Sequence, residues 1–334
     1  MWVLYNAFME RPDQIPQNFL DKLPLFVPKK KLSEVIASFD KKKEVTLRIN
    51  LLKSTHFEIT SEFNKEKIKL SPIPWYKDAF STDVINKTLT SLPLYQQGKF
   101  YIQGLSSMIP VLVLNPEAHE AILDIAAAPG SKTTQIASFM GGNGEIVAND
   151  ISRTRLFKLK DNLKHQGVTD VKITNIPGER IWKKFPEFFD KVLVDAPCSM
   201  EGRFTTLDSD SYKDWSSKKV KELSHRQQYL LRSALTATKV GGYVVYSTCT
   251  LSPEENEGVI DWLLEKEGDN ITLEKIEIPN LDLSPGITSF GKKTYNPEVV
   301  KTVRIYPNSV MEGFFIAKIR KTRSTLRPEL FSKH

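Results

Sequence analysis

From residue 119 onward, short apolar runs alternate with stretches of helical period. Ala121–Asp124 reads as a buried strand. A helix is expected at residues 131–140 and a second strand at 145–148, after the Gly141-Gly142-Asn143-Gly144 turn. Residues 153–165 read as a helix that Gly167 stops. Val171–Thr174 and residues 191–195 and 242–247 read as further strands. Helices are expected near 218–238 and 254–267, and two late strands at 271–278 and 313–320 close the region. This repetition predicts an α/β fold, a doubly wound, mainly parallel sheet of seven strands. Residues 1–118 lack the regularity. Short helices are expected at 17–23 and 31–39 and a strand at 46–50, while Pro72, Pro74, Pro93 and Pro110 interrupt the rest.

The chain has 334 residues, 40% apolar and 26% charged, a globular balance suited to two domains. The apolar run from Ile109 to Leu114, interrupted by Pro110, falls well short of the roughly 20 residues of a membrane span. Residues 1–9 carry no basic flank or small-residue cleavage site and run into Glu10 and Arg11. A cytoplasmic protein without membrane association is expected.

Net charge is +7, unevenly spread. Lys318, Arg320, Lys321, Arg323, Arg327 and Lys333 face one acid, Glu329, in the last stretch. Lysine triplets stand at 29–31 and 41–43. Such a surplus suits a polyanion through counterion release, and equally a solvated surface. Two cysteines and five histidines show no metal-ligand spacing, so no metal is expected.

The strand ending at Asp124 runs into a turn of small residues, Ala126, Ala127, Ala128, Pro129, Gly130 and Ser131, and then Lys132. Small residues let backbone N–H groups approach a ligand at a helix N-terminus. A P-loop would need glycine at positions 126 and 131, and a dinucleotide fingerprint would need three glycines where only Gly130 stands. The missing glycines oppose an NTPase or an oxidoreductase and leave a Rossmann-like site for a ligand without phosphates. Asp150, 20 residues after Gly130, ends the second strand and is placed for a ribose diol. An adenosyl ligand of this kind is S-adenosylmethionine.

Cys198 and Cys249 each lie just past the carboxyl end of a strand, in Asp195-Ala196-Pro197-Cys198-Ser199 and Ser247-Thr248-Cys249-Thr250. Both are expected on the ligand side of the sheet, facing each other. Free cysteine is usually a small buried hydrophobe, but both of only two at matching strand ends point to thiol chemistry. A thiolate adding to C6 of cytosine makes C5 nucleophilic, and Asp195 can hold the charge that develops on the ring.

Taken together, these motifs resemble the Sun (Nop/Sun) family of RNA (cytosine-5)-methyltransferases, over residues 45–320. Thr46-Leu47-Arg48-Ile49-Asn50, the 124–134 loop, both cysteine motifs, Pro253-Glu254-Glu255-Asn256-Glu257 and Glu312-Gly313-Phe314-Phe315-Ile316-Ala317 carry the likeness. The resemblance implies a class I methyltransferase fold at residues 119–321, an α+β RNA-binding region at 1–118 and a basic tail at 322–334. It implies Cys249 as nucleophile, Cys198 assisting release, and cofactor contacts from Ala126 to Lys132, Asp150 and Asp195. Pro177, Met200, Gly104 and Asn308 depart from the family pattern, at positions where an acid, a glycine, an acid and a histidine are usual. A monomer acting on ribosomal RNA is expected, with transfer RNA or a non-catalytic assembly role as the alternatives.

Overall fold

A computed structural model of the chain describes residues 15–326. Helices α1 (Gln17–Leu20), α2 (Leu23–Phe26) and α3 (Lys29–Ser38) come first. The single helix expected at 17–23 is split, because Pro24 cannot continue α1 and instead sits in the first turn of α2. Next are β1 (Val45–Ile49), α4 (His56–Lys65), β2 (Ser71–Ile73), β3 (Tyr76–Thr82), α5 (Asn86–Ser91), α6 (Pro93–Gln96) and β4 (Phe100–Ile102). The strands form an antiparallel sheet in the order β2-β3-β1-β4. Pro72, expected to break structure, lies on the edge strand β2, where a missing N–H is tolerated. Pro110 likewise does not end α7 (Leu105–Leu114), which is buried along most of its length. Its burial against the large sheet outweighs the hydrogen bond that proline forfeits.

The large sheet follows. It is built from β5 (Ala121–Asp124), α8 (Ser131–Phe139), β6 (Glu145–Asn149), α9 (Arg153–Gln166), β7 (Val171–Thr174), β8 (Phe189–Asp195), α10 (Ser217–Ala237), β9 (Thr238–Thr248) and α11 (Glu257–Glu267). It continues with β10 (Ile271–Glu274), β11 (Ser284–Pro285), β14 (Val303–Ile305) and β15 (Phe314–Lys321), while β12 (Ser289–Phe290) and β13 (Lys293–Thr294) make a separate hairpin. Among the described residues the sheet has nine strands, not seven, in the order β11-β14-β15-β9-β8-β5-β6-β7, with β10 also on β15. It is mixed. β5 to β9 run parallel, and β15 is antiparallel to β9, β10 and β14. The added strands are only two or three residues long, too short to leave a period in the sequence.

Successive strand residues alternate between the sheet's faces. Leu123, Val192, Val194, Val244, Tyr246 and Phe315 join α10 and α11 in one core, while Ile122, Leu193, Val245, Phe314 and Ile316 join α7 and α8 in the other. Both faces are therefore covered, which is why these strands read as continuous apolar runs. β5 has β6 on one side and β8 on the other, so strand order reverses there, and the crevice beyond its carboxyl end is where such folds bind ligands. Among the described residues, no helix is long and apolar enough to cross a membrane, and no group of three or more His, Cys, Asp or Glu side chains could hold a metal ion.

Candidate active site

The 125–130 turn sits at that reversal. Ile125 N–H donates to Leu193 on β8, and Ala127 N–H donates to Asn149 on β6 at 2.7 Å. Gly130 has φ 110, and a Cβ there would approach Leu159 to 2.9 Å, so the turn requires glycine. Ala127 and Ala128 are buried. Asp150 is buried as well, and its carboxylate accepts from Ala128 N–H at 3.3 Å and Ser152 N–H at 2.8 Å and pairs with Arg155. The half-exposed Arg155 guanidinium also donates to the Ala128 carbonyl.

Asp124 is buried, with Oδ2 accepting from the Thr133 hydroxyl at 2.7 Å and Oδ1 left without a hydrogen-bond partner. Burial pushes its carboxyl up to about 7. The partnerless Asp124 oxygen, among three strand-end acids, Asp124, Asp150 and Asp195, fits a ligand bearing an ammonium and a sulfonium, whose charge would draw off the Asp124 proton. It would repel a pyrophosphate.

Lys132 turns away from the turn it belongs to. Its ammonium donates to Asp195 and to the Ser107 hydroxyl, each at 2.7 Å, and lies 5.7 Å from the Phe314 ring centre. Asp195 also accepts from the Ser247 hydroxyl at 2.8 Å. A buried ammonium and a partly exposed carboxylate thus stand together between the turn and the cysteines.

Because β8 and β9 are parallel neighbours, the segments leaving them run side by side. Cys198 Sγ and Cys249 Sγ are 3.4 Å apart, as the strand-end reading expects. The sulfur contact with Cys249, with burial next, raises the Cys198 thiol well above its ordinary value, so Cys198 keeps its proton. Met200 has φ 62, a conformation that favours the glycine usual there.

Sequence reasoning assigned no role to Arg203, Glu201, Glu255 or Glu312. Arg203 pairs with Glu312 at 3.3 Å, whose carboxylate raises its pKa against the cost of burial, and it lies within electrostatic reach of Cys249 and Cys198. It therefore stands where it favours a thiolate. The Glu312 carboxylate lies 3.5 Å from where a Cβ on Gly104 would be, supplying an acid at the place where Gly104 lacks one. Arg48 and Asn50 of the Thr46–Asn50 motif fasten β1 to the cofactor side: Arg48 donates to Gln103 and to Thr134 on α8, and Asn50 to the Gln166 carbonyl on α9.

A family model described as 16S rRNA methyltransferase RsmB/F matches residues 111–320, and one described as the N-terminal domain of 16S rRNA methyltransferase RsmF matches residues 15–104. The chain is similar to the ribosomal RNA small subunit methyltransferase F of Vibrio campbellii, 37% identical over 95% of this chain. It spans 65% of the length of that relative. It is also similar to a tRNA (cytosine(49)-C(5))-methyltransferase of Pyrococcus abyssi, 43% identical over 83% of this chain and 88% of that one. A solved methyltransferase homolog protein from Pyrococcus horikoshii shares 32% identity over 92% of this chain and 100% of its own, with a TM-score of 0.77.

Proposed function

The chain belongs to the RsmB/F family of methyltransferases, and from that premise we propose that it methylates C5 of a cytosine in RNA. The observation that carries the reading is the pair of thiols 3.4 Å apart at the ends of two adjacent parallel strands, beside the Lys132–Asp195 pair. S-adenosylmethionine would be held by the 126–132 turn, Asp150 and Asp195, and would supply an electrophilic methyl group.

Cys249 is the nucleophile in this reading, as the likeness of Thr248-Cys249-Thr250 to the family's second cysteine motif implies, with Cys198 Sγ 3.4 Å away. The Cys249 thiolate adds to C6 of the ring, and the electron pair moves onto C5 and N3. Asp195, steadied by Lys132 and Ser247, faces the polarised edge of the base. C5 would take the methyl group as the S–CH3 bond breaks and its electron pair stays on the sulfur of the departing thioether. A base then removes the C5 proton, the electron pair re-forms the C5–C6 double bond, and the Cys249 thiolate leaves. Cys198, next to the departing sulfur, assists that release.

Ribosomal RNA is the favoured substrate, because the N-terminal region matches the corresponding domain of RsmF. Transfer RNA is the second reading, favoured by the 43% identity over most of the Pyrococcus abyssi enzyme. Residues 1–118 bind the RNA, residues 119–321 catalyse, and the basic tail from 322 adds phosphate contacts. The enzyme works in the cytoplasm as a monomer.

Covalent trapping tests the roles. Cys249→Ala is expected to abolish methylation, to spare cofactor binding and to form no adduct. Cys198→Ala is expected to stall as a denaturation-resistant protein–RNA band, absent from the double mutant. An adduct in Cys249→Ala alone reverses the roles, and intact methylation in both single mutants removes the mechanism. Mapping 5-methylcytosine in ribosomal and transfer RNA from cells with and without the protein decides the substrate.

A further inference from the structure

Three oxygen–oxygen contacts run in series between the two cysteine loops. Glu255 Oε1 meets Ser199 Oγ, Ser199 Oγ meets Thr250 Oγ1 at 2.7 Å, and Thr250 Oγ1 meets Glu201 Oε2 at 2.9 Å. Each contact requires a proton, and the two hydroxyls supply only two. The third is a carboxyl proton. Outside the series, Glu201 accepts from the Trp215 indole and the Ser252 hydroxyl on Oε1 and from Leu251 N–H on Oε2. Glu255 Oε2 accepts from Ser199 N–H at 3.1 Å and from Gln227 at 2.8 Å. That leaves Glu255 Oε1, against Ser199 Oγ, as the atom that carries the proton.

We propose that Glu255 is a protonated positioning residue. Its Oε1–H donates to Ser199, Ser199 to Thr250 and Thr250 to ionised Glu201, so that a single carboxyl proton clasps the Cys198 loop to the Cys249 loop. The clasp is reciprocal. Glu201 follows Cys198 in sequence yet holds residues 250–252, and Glu255 follows Cys249 yet holds Ser199 and, through Gln227, the Pro197 carbonyl. Both carboxyls are fully buried.

The groups facing Glu255 explain why the proton stays. Glu201 and Cys198 come from the loop after β8. Tyr246 of β9 donates to the Glu255 carbonyl, and α10 contributes the neutral Gln227. Glu257, the first residue of α11, is engaged by Arg304. Burial first, and Glu201 second, push Glu255 up to about 8. Losing the proton leaves the Ser199 and Thr250 oxygens in contact with nothing between them and sets a second buried charge beside Glu201.

Only the kinetic part of the test rests on the methyltransferase reading. Difference infrared spectra of the full chain, titrated from about pH 6 to 10, are expected to show a buried protonated carboxyl that ionises near pH 8 and is missing in Glu255→Gln. Oxidation of Cys198 and Cys249 to a disulfide by diamide is expected to slow about tenfold in Glu255→Ala and to recover in Glu255→Gln, whose amide N–H can replace the carboxyl O–H as donor. The methylation kcat is expected to fall above pH 8 in the parent and to lose that limb in Glu255→Gln. A carboxyl band ionising near pH 8 that persists in Glu255→Gln, set apart from the Asp124 band near 7 by its absence in Asp124→Asn, or a Gln variant no better than Ala in disulfide formation, overturns the clasp. Absence of methylation on every RNA, with the infrared and disulfide results as expected, removes the proposed function and leaves the clasp standing.

Discussion

Met200 holds φ 62 two residues past Cys198, where a side chain crowds its own backbone. Met200→Gly is expected to raise stability by up to about 1 kcal/mol, after allowing for the freedom glycine adds to the unfolded chain. A shift of the urea midpoint at constant slope would show it, and an unshifted or lowered midpoint would contradict it. At this scale the sequence was most readable where a residue's place in a strand and its chemistry agreed, as for Cys198, Cys249 and Asp195. Lys132 was readable as part of the turn but not in its destination. A long side chain goes where the neighbouring strand offers a carboxylate, and that neighbour is set by sheet order. Glu201 and Glu255 were illegible for the same reason, since each acts on the loop of the other's strand.

The elements around the site meet backbone to backbone. Gly202 N–H donates to the Cys249 carbonyl at 3.0 Å, and Gly313 N–H donates to the Gly202 carbonyl at 2.8 Å. A Cβ on Gly202 would lie 2.2 Å from the Gly313 oxygen, so the segments must separate to admit one. Gly202→Ala is therefore expected to cost about 1–3 kcal/mol and to lower methylation more than cofactor affinity. Denaturant melts and calorimetry with S-adenosylmethionine check the two halves. The alternation of strands and helices from β5 to β9 was legible, because strands covered on both faces and amphipathic helices leave distinct periods. The hairpin of β2 and β3 and the short strands β11 and β14 were not, since prolines and lengths of two to seven residues blur any period. The helix expected from residue 254 begins at Glu257, because the preceding residues form the turn that closes over the Cys249 loop.

Two buried carboxyls shape the pH response of the whole molecule. Asp124 and Glu255 hold their protons up to about 7 and about 8, whereas unfolded carboxyls release theirs near about 4. Between those limits the folded chain keeps protons that the unfolded chain has lost, so their contribution to stability falls as pH rises from about 4 to about 8. Asp124→Asn and Glu255→Gln are each expected to flatten that fall when denaturant midpoints are compared at about pH 5 and 8. A slope unchanged in both variants would contradict the assignment. Charge at the chain's end needs one correction. Lys321, counted with the basic tail, is fully buried, pairs with Glu187 and donates to the Leu235 and Thr238 carbonyls. It was hidden because a terminal lysine in a run of cations reads as solvated. Residues 327–334, with Arg327 and Lys333, lie outside the described residues. Removing 322–334 takes away Arg323, Arg327 and Lys333 and is expected to lower the slope of log RNA affinity against log salt by up to about 3. An unchanged slope would leave the tail without phosphate contacts.

β15 enters the sheet between β9 and β14, although it is the last strand among the described residues. During synthesis β9 therefore emerges with one side unpaired, and it stays so until residue 321 has left the ribosome. Phe19 and Phe39, made early, likewise wait for Phe204, Leu251 and Tyr306 to complete their core. The two thiols are thus made some way ahead of the strand that completes the sheet beside them, and a nascent chain arrested before residue 314 presents the open edge of β9 instead of a closed sheet.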